Sequence, residues 1–294
     1  MNSDTSWLFL VLLSAAIHPI RDFALKGTGN PLASYFGYTA VWVVLGLSQS
    51  LIMGHSLVLP VDVWWLLLVT VSGLILYYFG TLEALKRGDL SVYYPIIRSS
   101  PVVVLVFGWI AMSQAFNLMV TAGIGLVFVG TLLLQKPKHG LLSDPQSLLL
   151  ALLAMLGSAA YTLSDAGAMR SVSPSVYLFY TYILVGTGLG LMLFWQHRGQ
   201  SNLPGKMLSG WTLHPLRTLI AGTMAYASYI LILIAFQNGA DAAAVSAVRQ
   251  ASIPISVVLG AVLLHETSMV RRLKWASLIA IGIALIAYFD GQIG

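Results

Sequence analysis

The stretch ALKRGDLSVYYPIIRSSPVVVLVFGW at residues 84–109 has a counterpart at residues 235–261, AFQNGADAAAVSAVRQASIPISVVLGA. In both stretches a glycine precedes an arginine by ten residues, and a long apolar run follows the arginine. The arginine is Arg98 in the first copy and Arg249 in the second, a separation of 151 residues. Each copy is then followed by a second apolar segment that carries glycines. This correspondence indicates an internal repeat, which guides the interpretation of the remaining sequence.

The composition excludes an ordinary soluble protein. Of the 294 residues, 58% are hydrophobic and only 9% are charged, whereas about 25% of residues are charged in a typical soluble domain. Ten apolar stretches are present, and each is near the roughly 20 residues that a helix needs to cross a bilayer. They cover residues 7–25, 32–53, 62–85, 90–112, 118–135, 146–168, 175–196, 214–237, 241–264 and 273–290. We therefore predict an all-α polytopic membrane protein with ten transmembrane helices.

The repeat extends over most of the chain. Near the start of each half, Asp22 corresponds to Asp165 at an offset of 143 residues, and several aromatic and proline positions follow the same register. We therefore predict that residues 1–140 form a first five-helix repeat and residues 141–294 a second. Because five is an odd number, the second repeat is inverted relative to the first. Many secondary transporters use inverted repeats around a substrate site at the bilayer midplane.

Lysine and arginine residues are distributed unevenly between the loops. Eleven lie in the loops after the first, third, fifth, seventh and ninth stretches, whereas the alternate loops contain only Arg170. Basic loops are cytoplasmic under the positive-inside rule. We therefore predict a multi-pass protein of the inner membrane with both termini on the periplasmic side. The net charge of +5 reflects these loops, and no basic patch with interleaved aromatic residues indicates a nucleic-acid partner.

The repeated arginine segment, the sequence LLHE at residues 263–266 and the glycine-bearing last stretch together resemble the EamA family of the drug/metabolite transporter superfamily. The resemblance covers nearly the whole chain as two copies. The copies differ where Gln114 corresponds to Glu266 and where Gly123 corresponds to Trp275. The resemblance implies an inner-membrane carrier of small metabolites, with a central cavity lined by both halves and export as its direction. It implies no particular substrate, because family members handle amino acids, sugars, nucleotide precursors and drugs.

Arg98 and Arg249 are the strongest candidates for substrate binding. An arginine within the bilayer is costly, by about 2.5 kcal/mol or more, so it usually faces a cavity or a partner. Two arginines at equivalent repeat positions would face one another, and guanidinium groups bind carboxylates and phosphates through two parallel hydrogen bonds. The functional interpretation is an anion clamp. The structural alternative is that each arginine pairs with Asp22 or Asp165 and with backbone carbonyls.

Prolines accompany both arginines. Pro95 and Pro101 flank Arg98, and Pro254 follows Arg249. Because proline lacks an amide hydrogen and distorts a helix, the pattern predicts irregular helices at these points. Broken helices often form the binding sites of transporters, although an ordinary membrane kink would give the same pattern.

Two carboxyl groups lie within apolar stretches. Asp22 follows His18 by four residues and therefore shares a helix face with it, and Asp165 occupies the matching position in the second half. An intramembrane carboxyl group is able to carry a coupling proton. We predict Asp22, Asp165 and His18 as proton-coupling residues. The alternative is that the carboxyl groups are paired with neighbours and that His18 is a packing residue.

Aromatic residues form a third candidate set. The predicted substrate contacts are Tyr94, Tyr161, Trp42, Tyr78 and Tyr226, all within or near apolar stretches. A tyrosine or tryptophan that lines a cavity offers an apolar face together with one hydrogen-bonding group. For any single member of the set, helix packing explains its position equally well.

The sequence lacks the signatures of common enzymes. It contains no Walker A, HExxH or GxSxG motif and no cysteine, so no enzymatic activity, ATPase activity or cofactor is predicted. We predict a secondary active transporter that exports a small organic anion or zwitterion, such as an amino acid or organic acid, by alternating access. Its predicted partners are the substrate, the lipid bilayer and a proton, and the oligomeric state is left open. The alternatives are a flippase for an amphiphile, an intramembrane enzyme and a scaffold.

Overall fold

The computed structural model of the protein describes residues 3–25, 29–87, 90–111, 116–134, 144–255 and 269–289. These residues form helices and short connections, and within the described ranges none belongs to a β-strand. The α-helices in chain order are α1 (Ser3–Leu25), α2 (Pro31–Ile52), α3 (Val63–Arg87), α4 (Leu90–Ile97), α5 (Ser100–Ala111), α6 (Leu118–Leu134), α7 (Pro145–Ala168), α8 (Pro174–His197), α9 (Leu203–Met207), α10 (Ser209–Leu213), α11 (Pro215–Gln237), α12 (Ala242–Val248) and α13 (Met269–Phe289). The predicted all-α class is confirmed.

Six helical segments of the described chain are long and apolar enough to cross a membrane. They are Pro31–Ile52, Val63–Ala84, Tyr93–Ala111, Pro145–Ala168, Pro174–His197 and Pro215–Gln237, with shorter apolar helices at Ser6–Arg21, Leu118–Leu134 and Lys274–Phe289. The predicted ninth span, residues 241–264, lies outside the described residues beyond residue 255. The structure therefore agrees with a polytopic membrane protein, and ten spans remain a prediction.

The outward faces of the long helices are apolar. On α7, Leu149 and Leu156 are 58% and 50% exposed, whereas Ala151 and Ala154 on the opposite side are fully buried. A soluble protein would cover such a surface with charged residues. An outer face of leucines and an inner face of small residues is what a helix needs at the boundary between lipid and protein.

Close backbone contacts at glycines hold several helix pairs together. A Cβ on Gly157 of α7 would lie 2.5 Å from the carbonyl oxygen of Gly73 on α3. A Cβ on Gly282 of α13 would lie 2.6 Å from the carbonyl oxygen of Gly123 on α6. Small residues permit such approach in membrane proteins, where van der Waals packing replaces the hydrophobic effect between helices.

The most extensive helix contacts can be compared with the predicted exchange of the two halves. In the predicted repeat, α1 corresponds to α7 and α3 corresponds to α11. The contact of α3 with α7 therefore has its counterpart in the contact of α1 with α11, and both are extensive. Under the same exchange, α2 corresponds to α8 and α6 corresponds to α13. The exchange therefore leaves these two pairs unchanged, and the contacts within each pair are also extensive.

Capping residues and prolines mark where several helices begin. Helices α2, α7, α8 and α11 each carry a proline in the first turn, where the missing amide hydrogen is not needed. The carboxylate of Asp144 accepts hydrogen bonds from the backbone amides of Gln146 and Ser147 and from the Ser147 hydroxyl. These hydrogen bonds lower the pKa of Asp144 because they stabilise its charged form.

The polar linker at residues 197–212 contains the short helix α9 and most of the short helix α10. Trp211 donates a hydrogen bond from its indole nitrogen to the carbonyl oxygen of Gly37 at 2.8 Å, and Thr218 donates to the carbonyl oxygen of Gly210 at 2.7 Å. The large apolar body of Trp211 therefore packs α10 against α2, which the polar composition of the linker conceals.

Candidate substrate-binding site

The helices change geometry at both predicted arginines. Arg98 and Ser99 lie in a turn between α4 and α5, and Arg249 begins a 3-10 turn directly after α12. The Ser99 hydroxyl donates to the carbonyl oxygen of Pro95 at 2.7 Å. The irregularity predicted from the prolines is thus present near both arginines.

A small cavity lies where helices of both predicted halves meet. Three guanidinium groups line it, those of Arg21, Arg98 and Arg249, together with the imidazole of His18. Arg98, Arg249 and His18 also border a smaller adjoining space. The two predicted arginines therefore border the same region, and the described lining residues include three arginines.

Arg98 is oriented by the tyrosine one turn before it. Its Nε and Nη2 atoms donate to the Tyr94 hydroxyl oxygen at 3.0 and 2.6 Å, and its guanidinium carbon lies 5.1 Å from the centre of the Tyr94 ring. Tyr94 is not among the residues that line the cavity. In this structure Tyr94 therefore contacts Arg98 from behind the cavity wall, and its role as a substrate contact stays a prediction.

Arg249 lies beside two tyrosines of the second half. Its guanidinium carbon lies 5.9 Å from the centre of the Tyr229 ring, and Tyr161 lies close enough to interact with its charge. Both tyrosines line the cavity with it. A guanidinium beside aromatic faces keeps free donors for an anion, because the ring attracts the charge without accepting all of its hydrogen bonds.

Asp165 lies behind the cavity wall. It is 1% exposed, and its two carboxyl oxygens accept from Thr70 at 2.8 Å and from Tyr229 at 2.5 Å. Tyr177 in turn donates to the Thr70 hydroxyl at 2.7 Å. Both groups that donate hydrogen bonds to the Asp165 carboxyl group are hydroxyls. The Tyr229 side chain lies between this carboxyl group and Arg249.

The proposed coupling residues of the first half are described only in part. Asp22 belongs to α1, but its side chain lies outside the described part of the structure. His18 lines the cavity, and its Nε2 atom is 3.0 Å from Nη2 of Arg21. His18 is thus a cavity residue beside a cation.

The comparisons with known proteins assign the family. The EamA-like transporter family matches the chain twice, over residues 5–135 and 146–288. The chain belongs to this family. The resemblance drawn from the repeated arginine segment is thereby confirmed, and members of the family are membrane transporters.

The fold of this EamA-family protein also resembles that of a solved crystal structure. The two are 16% identical, the match covers 100% of this chain and 99% of the other, and the TM-score is 0.75. At this identity the likeness concerns the fold alone. No curated protein matches the chain by sequence comparison.

Trp42 forms the centre of the aromatic part of the EamA-family cavity. Its ring stacks on Tyr182 with the ring centres 3.7 Å apart, and the Tyr182 hydroxyl is 3.2 Å from that of Tyr78. Trp42, Tyr78 and Tyr161 all line the cavity. Their predicted role as substrate contacts requires this position.

Tyr226 is turned away from the cavity. Its hydroxyl donates to Oε1 of Gln49 at 2.6 Å, and its ring meets that of Trp42 edge to face at 5.8 Å. Tyr226 is absent from the cavity lining. Whether the Tyr226 side chain lines the cavity depends on the rotation of α11 about its axis. The spacing of aromatic residues within a single span does not reveal that rotation.

Several lining residues were not among the predicted site residues. They are Arg21, Leu74, Tyr77, Ile97, Ser100, Ser158, Tyr182, Ala225, Ser228, Tyr229, Ser246 and Gln250. The tyrosines in this group carried a usable signal, because they lie within apolar stretches. The serines and Gln250 carried none, since a small or neutral polar residue in a span is as often a helix-packing contact.

A change of Tyr94 to phenylalanine tests the positioning of Arg98. We expect Tyr94→Phe to raise the KM for a transported anion about tenfold, because a hydrogen bond to a charged group contributes about 1.5–3 kcal/mol. The flux of the anion into proteoliposomes, recorded over a range of anion concentrations, measures this KM. The matched control is Tyr180→Phe, whose hydroxyl donates to the Leu57 carbonyl oxygen away from the cavity. An equal rise in KM in Tyr94→Phe and Tyr180→Phe would contradict the positioning role of Tyr94.

Proposed function

We propose that this protein is a secondary active transporter that exports a small organic anion or zwitterion, such as an amino acid or organic acid, by alternating access. One observation carries the proposal: Arg98 and Arg249, from matching positions of the two halves, line the same cavity. Guanidinium groups at bilayer depth mark substrate pathways and bind carboxylate or phosphate through paired hydrogen bonds. Membership of a transporter family supports the same conclusion.

Two inverted five-helix repeats, residues 1–140 and 141–294, are the proposed architecture. The double match of the family supports this division, as do the exchange-related contacts of α3 with α7 and of α1 with α11. With ten spans and basic loops in the cytoplasm, both termini are periplasmic and the protein resides in the inner membrane. Such a carrier alternates by moving one set of helices against the other around the central cavity.

Reconstitution into liposomes tests the proposed function. The wild type is assayed with labelled lactate, alanine, a phosphonate, a monovalent organic cation and an amphiphile. We expect an anion or zwitterion to be moved, and the cation and the amphiphile to be excluded. Movement of the cation alone would overturn the proposal, and movement of the amphiphile alone would favour a flippase.

A proton coupled through Asp165 is the proposed driving ion, with Asp22 and His18 as further candidates. Asp165 contacts the cavity residue Tyr229 directly, and Tyr229 lies beside Arg249. A change in the protonation of Asp165 would therefore reach the arginine that holds the anion. Carboxyl groups within membrane spans commonly serve as proton relays.

Replacement of Asp165 by asparagine tests this coupling. We expect wild-type flux to fall when the pH gradient is collapsed, and Asp165→Asn flux to be low and insensitive to the gradient, because an amide carries no titratable proton. Flux at matched and opposed pH gradients measures both effects. The control is Asp144→Asn, since asparagine also caps a helix and Asp144 lies at the start of α7. Wild-type flux that ignores the gradient would refute proton coupling.

A further inference from the structure

Two buried polar atoms in the cavity wall have no hydrogen-bond partner. They are Nε1 of Trp42 and Oε1 of Gln250, in side chains that are 2% and 4% exposed. Among the described residues, three other buried side-chain atoms share this property, on Thr81, Thr181 and His197. Only Trp42 and Gln250 of these five line the cavity. Among the described residues that line the cavity, the buried unpaired side-chain atoms are therefore one donor and one acceptor.

An unpaired buried polar group is unfavourable. Leaving a buried donor or acceptor unsatisfied costs about 1–3 kcal/mol, and most buried polar groups in folded proteins are paired. The indole nitrogen is a donor only, and the amide oxygen of glutamine is an acceptor only. A ligand that satisfies both must accept a hydrogen bond at one place and donate one at another.

Several neutral polar groups of the cavity lining are already engaged in hydrogen bonds. The hydroxyl of Ser158 bonds that of Ser100 at 3.1 Å, and the Ser228 hydroxyl donates to the carbonyl oxygen of Ser14 at 3.0 Å. The amide nitrogen of Gln250 donates to the carbonyl oxygen of Ser246 at 3.4 Å. That contact orients the amide and leaves its oxygen as the acceptor without a partner.

This acceptor belongs to one half only. At the offset of 151 residues that relates Arg98 to Arg249, Gln250 corresponds to Ser99. The Ser99 hydroxyl already donates to the Pro95 carbonyl oxygen at 2.7 Å. The pair of arginines is thus common to both halves, whereas the acceptor beside them is not. A ligand that bonds both the arginines and Gln250 therefore has its hydrogen-bond donor on the side of its anionic group that faces Gln250.

We infer that the substrate is a small oxyanion that also carries an N–H or O–H donor, which bonds Oε1 of Gln250, while Nε1 of Trp42 donates to an acceptor atom of the same molecule. The inference rests on the proposed anion transport. It narrows the substrate to hydroxy, amino or amide derivatives of carboxylates, phosphates or phosphonates. Gln250 acts as the residue that determines specificity, because an analogue without the donor leaves its oxygen unpaired.

Matched ligand pairs test this inference. Purified protein in nanodiscs is titrated calorimetrically with lactate, alanine and propionate, and with 2-aminoethylphosphonate and ethylphosphonate. We expect at least one donor-bearing ligand to bind tenfold or more tightly than its partner without the donor. Comparison of lactate with alanine distinguishes a hydroxyl donor from an ammonium donor.

Variants locate the effect at the two unpaired atoms. We expect Gln250→Leu to remove the preference within a pair while weak binding of the oxyanion persists. We expect Trp42→Phe, which keeps an aromatic ring and removes the N–H, to weaken both members of a pair. The control Gln237→Leu, at the end of α11 and outside the cavity lining, should retain the preference. Size-exclusion chromatography of each variant verifies that it is folded.

The outcomes separate this inference from the proposed function. If the oxyanions bind with equal affinity in each pair, an ordered water satisfies Gln250 and the inference is wrong, whereas anion transport stands. A preference that persists in Gln250→Leu also overturns the inference. If no oxyanion binds the wild type and none is moved by it, the proposed function fails with it.

Discussion

Anion flux falls to a few per cent of the wild-type value or less when Arg249 is replaced by glutamine. Arg249 lines the cavity together with Arg98. Removing the guanidinium group from a buried, hydrogen-bonded pair with the substrate anion costs about 2–5 kcal/mol. Since each 1.4 kcal/mol is about tenfold in affinity, the KM for an anion rises about 30-fold or more. Proteoliposome flux across a range of anion concentrations measures this change.

Charge alone does not account for the expected loss. Arg249→Lys keeps the positive charge but removes the planar fork that binds an oxyanion through two hydrogen bonds. We expect Arg249→Lys to recover only part of the flux. Arg170→Gln is the control, because Arg170 is exposed in the connection after α7. Full flux in Arg249→Gln, or an equal loss in Arg170→Gln, would contradict the anion clamp.

The second large effect concerns the packing of α3 against α7. We expect Gly157→Val to lower the apparent melting temperature of the purified protein by several degrees or to prevent its isolation as a monodisperse species. A Cβ at Gly157 would lie 2.5 Å from the carbonyl oxygen of Gly73 and 3.0 Å from the Cβ of Leu76. Because a backbone atom cannot rotate out of the way, the two helices must separate. Overpacking of this kind costs about 1–3 kcal/mol.

Gly125→Val is the matched control for this effect. Gly125 lies within α6, and a Cβ built there meets no atom within 4 Å. Both substitutions place the same side chain in the interior of an apolar helix, so helix propensity contributes equally. Equal stability of the two variants, measured by thermal unfolding of the detergent-solubilised protein, would show that the close approach of α3 and α7 is unimportant.

The sequence predicts the helical architecture well because its main signals are long and local. Apolar length and flanking prolines place the ends of α2, α7, α8 and α11 within a few residues of the structure. The linker after α8 was less predictable, since it is Trp211 that anchors α10 to α2. That contact joins residues 174 positions apart in the chain, and no local pattern encodes it.

The sequence predicts the site less completely. Arg98 and Arg249 were identified because a charge in a membrane span is rare and both repeats carry one. By contrast, Tyr94 and Tyr226 contact Arg98 and Gln49 and are not among the cavity-lining residues. Gln250 lines the cavity but was not among the predicted site residues. These outcomes depend on how each helix is rotated about its axis, and the apolar stretches here lack a strong polar face that would determine this rotation.

The difference between Ser99 and Gln250 bears on the kinetics of transport. In the proposed architecture, the inward-facing and outward-facing states would interconvert when the two halves exchange their conformations. If the two halves were identical, the two states would be equal in energy and in affinity for the substrate. A hydrogen-bonding group present in one half alone removes this equality. The half-saturation concentrations on the two sides of the membrane would therefore differ, although the equilibrium distribution of the substrate stays set by the driving gradient. The amide group of Gln250 would thus be one source of a difference in rate between the two directions of transport.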